Sequence, residues 1–218
     1  MSEKRAWFMP TSPRSPEKIQ GELKILKDLE GQPWDSDTQA EFTHRLVKAG
    51  VFEGTGHSDE PQLTARDRIN RGPRMLGLVV LPRDKSKPME FTDAGNELLD
   101  SSSYDLPYLF QRQLAKVQFP SYLHGTNEYK NMLIKPLTAM IYLINCVESL
   151  SKEEIALFGL PTINFNDLPK TVSIIKNYRA KREDGNTSER KKFRAQYVID
   201  RIKEIYREEI STGKIFIR

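Results

Sequence analysis

Across the first hundred residues the apolar pattern turns from helical to strand-like at Gly72-Pro73, and that change limits the folds open to the chain. Before it, apolar residues recur at helical spacing. A first helix starts at Ser15, with Pro16 in the first helical position and Glu17 in the first turn, and buries Ile19, Leu23 and Leu26, with Ile25 and Leu29 widening the stripe. A second is expected after Ser36, where "SDTQ" reads as a capping box closed by Gln39, with Phe42, Leu46 and Val47 inward and a stop at Gly50. The loop "EGTGHSDEPQ" leads to Thr64, which opens "TARD", a further capping box, and a short arginine-rich helix through Arg71. Gly72-Pro73 must end or bend that helix. Beyond it "MLGLVVL" suits a buried strand, "PRDKSK" a polar turn and "PMEF" a second strand, and Thr92 caps "TDAGNELLD". Helix, helix, arginine-rich helix, strand, turn, strand is the order of a winged helix-turn-helix, and a first subdomain is expected over residues 1–100.

"SSSYD", residues 101–105, reads as a linker to a second subdomain over 101–218. "LPYLFQRQLAKVQF" follows as a helix with Leu109, Leu114 and Val117 available to pack. "KPLTAMIYLINCVESL" is apolar on nearly all sides and is expected to be the central helix of this subdomain. In "LSKEEIALFGL", Ser151 and Glu154 make a capping box, with Ile155, Phe158 and Leu160 inward. The turn "PTINFN" then leads to "DLPKTVSIIKNYRAKRE", a second helix-turn-helix spacing. "SERKKFRAQYVIDRIKEIYREEI" is a long helix, and "GKIFIR" a strand-like end that reads as a cut. The fold class expected is mainly α with small β wings, as two tandem winged helix-turn-helix-like subdomains.

Charge matters here through its distribution. The net charge is only +4, yet residues 176–218 carry 13 Lys and Arg against 7 Asp and Glu, more than the whole surplus. "RDRINRGPR" places Arg66, Arg68, Arg71 and Arg74 in nine positions with Asp67 the one acid among them. A guanidinium donates in a planar fork that matches a phosphate or the O6/N7 edge of guanine, so the cluster suits nucleic acid better than a solvated face. Lys170, Lys176 and Arg179, with Lys181 and Arg182, form a second cluster suited to phosphate contact.

Enzymic signatures are sparse. His44, His57 and His124 lack ligand spacing, and the single cysteine, Cys146, lies in an apolar helical run, excludes an intramolecular disulfide and favours a reducing compartment. "ELK" at Glu22 to Lys24 and "DLPK" at Asp167 to Lys170 have the residue types of a Mg2+ nuclease. They fall on helices rather than the adjacent strands such a site needs. With no leader and no apolar run of membrane length, a cytoplasmic location is expected.

"SPRSPEKIQGELKIL", "TARDRI", "FTDAGNELL", "QRQLAKVQFPSY", "IKPL" and "LSKEEIALFGL" occur in that order, and from about Trp7 to Tyr206 the chain resembles the N-terminal part of AlwI-type type IIS restriction and nicking endonucleases. The resemblance implies a DNA-recognition region of winged-helix subdomains that reads a short asymmetric site, GAGTC- or GGATC-like, as a monomer on double-stranded DNA. A Mg2+-dependent cleavage domain, C-terminal or on a separate subunit, belongs to the family. Nothing in this chain matches that domain, so no catalytic residue, metal or cofactor is expected within it. On this reading Arg66, Arg68 and Arg71 read bases. Arg14, Ser15, Lys18, Arg74, Arg83, Lys85, Lys87, Lys170, Lys176 and Arg179 hold phosphates, with Arg14 and Lys18 at a helix N-terminus stiffened by Pro13. The rival readings are a free-standing winged-helix transcription regulator, with "AMIYLINCV" as a dimer helix, and a protein-interaction module.

Overall fold

The structure, a computed structural model, describes residues 5–7, 15–52, 60–121 and 129–212, without the side chains of 208 and 209. The expected strand over 213–218 lies outside them. The chain is mainly helical with a small two-stranded antiparallel sheet. It divides into two compact units, one of Met9–Lys116 and one joining Met1–Phe8 to Val117–Arg218.

In the first unit the local signals act as read at α1 (Pro16–Lys27): the Ser15 hydroxyl accepts the Lys18 N–H at 3.3 Å. Ile19, Leu23 and Leu26 are fully buried, and each such leucine stabilises the fold by about 1.5–3 kcal/mol. For α2 (Ser36–Lys48) the cap lies one residue earlier than expected. Asp35 accepts the Thr38 N–H at 2.9 Å, while the Gln39 amide turns back to the Trp34 carbonyl. Val47, expected inward, is 55% exposed, because the buried face of α2 is carried by Phe42, Thr43 and Leu46.

Two further boundaries differ from the expectation. Helix α3 (Pro61–Ile69) begins three residues before Thr64, with Pro61 at its first position, so Thr64 is buried within the helix instead of capping it. The break at 70–71 separates α3 from a single turn, α4 (Gly72–Met75). Gly77, at φ +68°, then swings the chain into β1 (Val79–Val80), which pairs antiparallel with β2 (Glu90–Phe91) in the register Val79 to Phe91. Of the rest of "MLGLVVL", Met75 ends α4 and the other residues are turn and loop, because the ladder holds only two residues a side.

The chain between α1 and α2 lies along the segment that leads into β2. Gly31 N–H donates to the Met89 carbonyl at 3.0 Å, Met89 N–H donates to the Gln32 carbonyl at 2.8 Å, and Pro33 bridges Pro88. Thr92 caps α5 (Asp93–Asp100) through the Gly95 N–H at 3.0 Å. A β-carbon at Gly95 would run into the Leu78 carbonyl oxygen, so this glycine sets how closely α5 lies on the start of β1. Helix α6 (Leu106–Lys116) packs against α1 and α5, so the unit runs past the 101–105 linker and takes in a helix assigned from sequence to the following subdomain.

The second unit is built on α7 (Pro136–Val147), α9 (Leu168–Glu183) and α10 (Thr187–Ile205). Helix α7 is not surrounded as its composition suggests. Ala139, Leu143 and Val147 are buried, but Ile141, Tyr142 and Ile144 are 51%, 39% and 42% exposed. The capping box of Ser151 and Glu154 is present at α8 (Lys152–Glu154), which runs into a wider π-type turn at Ile155–Gly159. A similar box, Asn186 with Glu189, opens α10. Phe158, Tyr178, Phe193 and Tyr197 join these elements in one aromatic cluster, with Tyr178 and Tyr197 4.8 Å apart. Strand-like contacts are single bridges, Phe119 with Ile134 and Leu133 with Asn164. Helix α9 is followed by α10 where a winged helix has a hairpin.

Candidate nucleic-acid interface

The arginines at and just beyond α3 divide by burial. Arg66 is exposed and has no ion pair among the described residues. Arg71, 58% exposed just past the helix end, is bridged to Asp67 at 2.9 Å. Arg74 is half-buried on α4. Arg68 departs from the expectation of a base reader. Its side chain is 15% exposed, its guanidinium pairs with Glu22 of α1, and its planar face lies 4.3 Å from the centroid of the Phe52 ring.

Glu22 is itself 2% exposed, and its second oxygen, Oε2, has no hydrogen-bond partner among the described residues. Burial pushes its carboxyl up to about 7, against the opposing pull of Arg68 and Lys18. The sequence did carry a signal for this acid. Glu22 stands within the apolar stripe of Ile19, Leu23 and Leu26, a place an unpaired carboxylate does not occupy.

The loop 81–89 between the two strands presents Arg83, Lys85 and Lys87, all exposed. Asp84 fixes its tip, accepting the Ser86 N–H at 3.0 Å and the Ser86 hydroxyl at 2.7 Å, and these bonds hold the Asp84 carboxyl below its ordinary range. Ser15 is engaged in its cap and Lys18 is exposed one turn on. Arg14 lies outside the described residues, as do His57 and His124.

In the second unit Lys170 and Lys176 are exposed on α9. Arg179, expected with them, is turned inward. Its Nε donates to Glu154 Oε1 at 2.6 Å and its Nη2 to Glu154 Oε2 at 3.1 Å, while Nη1 donates to the Val147 carbonyl and Nη2 also to the Ser149 carbonyl. Glu154 is 2% exposed. Burial alone would raise its carboxyl, but Arg179 and the Ser151 N–H outweigh that and hold it at about 2. On the same helix Tyr178 is pushed up to about 12 by burial and by its hydrogen bond to Glu153.

Glu22 and Glu154 are each committed to an arginine, and among the described residues no three His, Cys, Asp or Glu side chains come together. Nor is any described helix long and apolar enough to cross a membrane.

A family model for the AlwI restriction endonuclease matches residues 74–212, more than half of the chain. The chain belongs to the AlwI restriction endonuclease family. That membership makes it a protein related to restriction enzymes, in a family that acts on DNA. The match takes in the loop 81–89, α5, α6 and residues 117–212 of the second unit, and begins after α3. No curated protein matches the chain.

Proposed function

We propose that this AlwI-family chain recognises a short asymmetric site in double-stranded DNA and contains no cleavage centre, its first unit acting as a winged helix-turn-helix. One observation carries the reading: the segment 31–33 lies along 88–89, so the order is helix, bridged segment, helix, helix, a single helical turn, strand, loop, strand. That order belongs to the winged helix, in which the third helix enters the major groove and the loop between the last two strands tracks the backbone. Here the third helix is α3 and the loop is 81–89.

Arg66 and Arg71 are then the side chains available for guanine edges, and Arg68, held by Glu22 and Phe52, orients the helix that carries them. Arg83, Lys85 and Lys87 follow phosphates from the loop, and Lys18, Arg74, Lys170 and Lys176 add phosphate contacts. The second unit contributes the exposed Lys170 and Lys176 of α9, and among its described residues α9 is followed by a helix and not by a hairpin. Selection from a random duplex pool at physiological salt tests the proposal, followed by shift assays on the enriched site with and without Mg2+. Enrichment of one asymmetric site without cleavage is expected. A pool that emerges unenriched refutes the reading, and turnover by the pure chain refutes the claim that it lacks a cleavage centre.

A further inference from the structure

Helix α9 turns one face into the second unit and is held there at several points. Thr171 is buried with its hydroxyl 2.7 Å from that of Thr162, Ile175 is fully buried, Tyr178 joins the aromatic cluster and donates to Glu153, and Arg179 clamps Glu154. A helix whose inner face is fixed in this way presents its outer face in one orientation.

That outer face is exposed at Lys170, Ser173, Lys176, Asn177, Ala180 and Lys181. At about 3.6 residues per turn, Ser173, Asn177 and Ala180 fall within about 60° of one another along its centre, with Lys176 on one side and Lys170 and Lys181 on the other. The centre is therefore small and uncharged, and both borders are cationic. Between Asp167 and Glu183 the sequence has no acid, and none of the three lysines makes an ion pair among the described residues. A helix face that needs only solvation interleaves the two signs and gains pairs four residues apart; this one leaves its cations for a polyanion.

We propose that α9 lies in the major groove of duplex DNA, where Asn177 reads an adenine. This rests on the DNA-binding proposal above and adds a base-reading residue to a helix whose lysines contact phosphates. The major groove is about 12 Å wide and admits one helix, with base edges on its floor and phosphates along both walls. Lysines on two borders match the walls, and the short side chains between them let the helix approach the floor. Of the central residues, Ala180 has no polar side-chain group, and the Ser173 hydroxyl is engaged at 3.2 Å with the Pro169 carbonyl. The Asn177 carboxamide makes no hydrogen bond among the described residues. It matches adenine with two bonds: Oδ1 accepts from the N6 amino group, and Nδ2–H donates to N7. Adenine alone presents a donor beside an acceptor on its major-groove edge, whereas guanine presents two acceptors.

The test uses the full chain and its Asn177→Ala variant, with a duplex enriched by selection from a random pool and a panel of that duplex substituted at one base pair at a time. Asn177 is exposed and alanine suits a helix, so the variant should fold, and thermal melts check that it does. The parent should lose about 5- to 150-fold in affinity when one particular A·T pair is replaced. The variant should lose that preference, keep its preferences at every other pair and bind random duplex as the parent does. An adenine analogue with carbon in place of N7 at that pair should weaken the parent and leave the variant unchanged, an effect that a purely structural role for Asn177 does not produce. Preferences unchanged at every pair in a folded variant overturn the assignment and leave the DNA-binding proposal standing. Equal weakening of cognate and random duplex also overturns it, since that is the mark of a phosphate contact. A pool that yields no enriched duplex overturns both.

Discussion

Arg179→Ala separates a structural arginine from a phosphate contact. Glu154 is 2% exposed and its carboxyl, held at about 2 against an ordinary 4.5, stays ionised in the folded protein well below the pH at which the unfolded chain takes up a proton. The pair and its hydrogen bonds therefore contribute about 3 kcal/mol that is complete above about pH 4.5 and disappears as pH falls through about 2. Removing the guanidinium leaves a buried carboxylate uncompensated, which costs about 3–5 kcal/mol, and strips the donor from the Val147 and Ser149 carbonyls. For a unit of this size such a loss lowers the melting temperature by well over 10 °C.

Urea melts at pH 7 and pH 3 measure it. The deficit of the variant should fall by about half at pH 3, since part of the contribution is already lost there. A deficit under about 1 kcal/mol at pH 7, or one of equal size at both pH values, refutes the argument. At a temperature where both proteins are folded, the salt dependence of DNA binding should be unchanged. A slope lowered by about 1 with unaltered stability would return Arg179 to the phosphate contacts.

Other outcomes follow from the same geometry. The Glu22 carboxyl, at about 7 when folded and 4.5 ordinarily, binds a proton in the folded protein that the unfolded chain has already released, so stability should fall by about 3 kcal/mol as pH rises from 4.5 to 7. Urea melts across that window should show the fall, and Glu22→Gln should abolish its slope. Gly95→Ala forces α5 off the Leu78 carbonyl and should cost about 1–3 kcal/mol, read by thermal melts. Lys85→Ala and Lys87→Ala should each lower the salt slope by about 1 and weaken cognate and random duplex alike, in titrations at several salt concentrations. Arg66→Ala should relax discrimination at a single base pair by about 1–3 kcal/mol, measured on a panel of singly substituted sites.

The parts of this fold that the sequence announced are those set within one or two turns of chain. Ser15, Thr92 and the Ser151–Glu154 box each satisfy backbone donors three residues away, so their spacing is their evidence. The change of period at Gly72-Pro73 is equally local. Burial of α7 was misread because composition reports how apolar a helix is, while exposure of Ile141 and Ile144 depends on which neighbours reach it. Helix α6 was assigned to the wrong side of the linker for the same reason: "SSSYD" is loop-like, but the packing of α6 on α1 and α5 decides where it belongs. The bond from Met89 to Gln32 joins residues far apart in sequence and has no local mark at all.

The arginines show most sharply how distance in sequence hides function. A charge count treats Arg66, Arg68 and Arg179 alike, since each stands in a basic cluster on a helix. Their partners differ: Arg68 and Arg179 each hold a carboxylate that is 2% exposed, at 46 and 25 residues' separation. Moving Arg179 onto DNA would strand the Glu154 carboxylate at a cost of about 3–5 kcal/mol, whereas a bidentate contact to a base returns about 1–3. On those magnitudes the exchange is unfavourable for Arg179, while Arg68 is held in the folded chain by its pairing with Glu22 and its place on the Phe52 ring. In this chain a buried acid on a neighbouring element is what marks an arginine as structural. Under the proposed reading Arg66, exposed and without an ion pair among the described residues, is the side chain available to a groove.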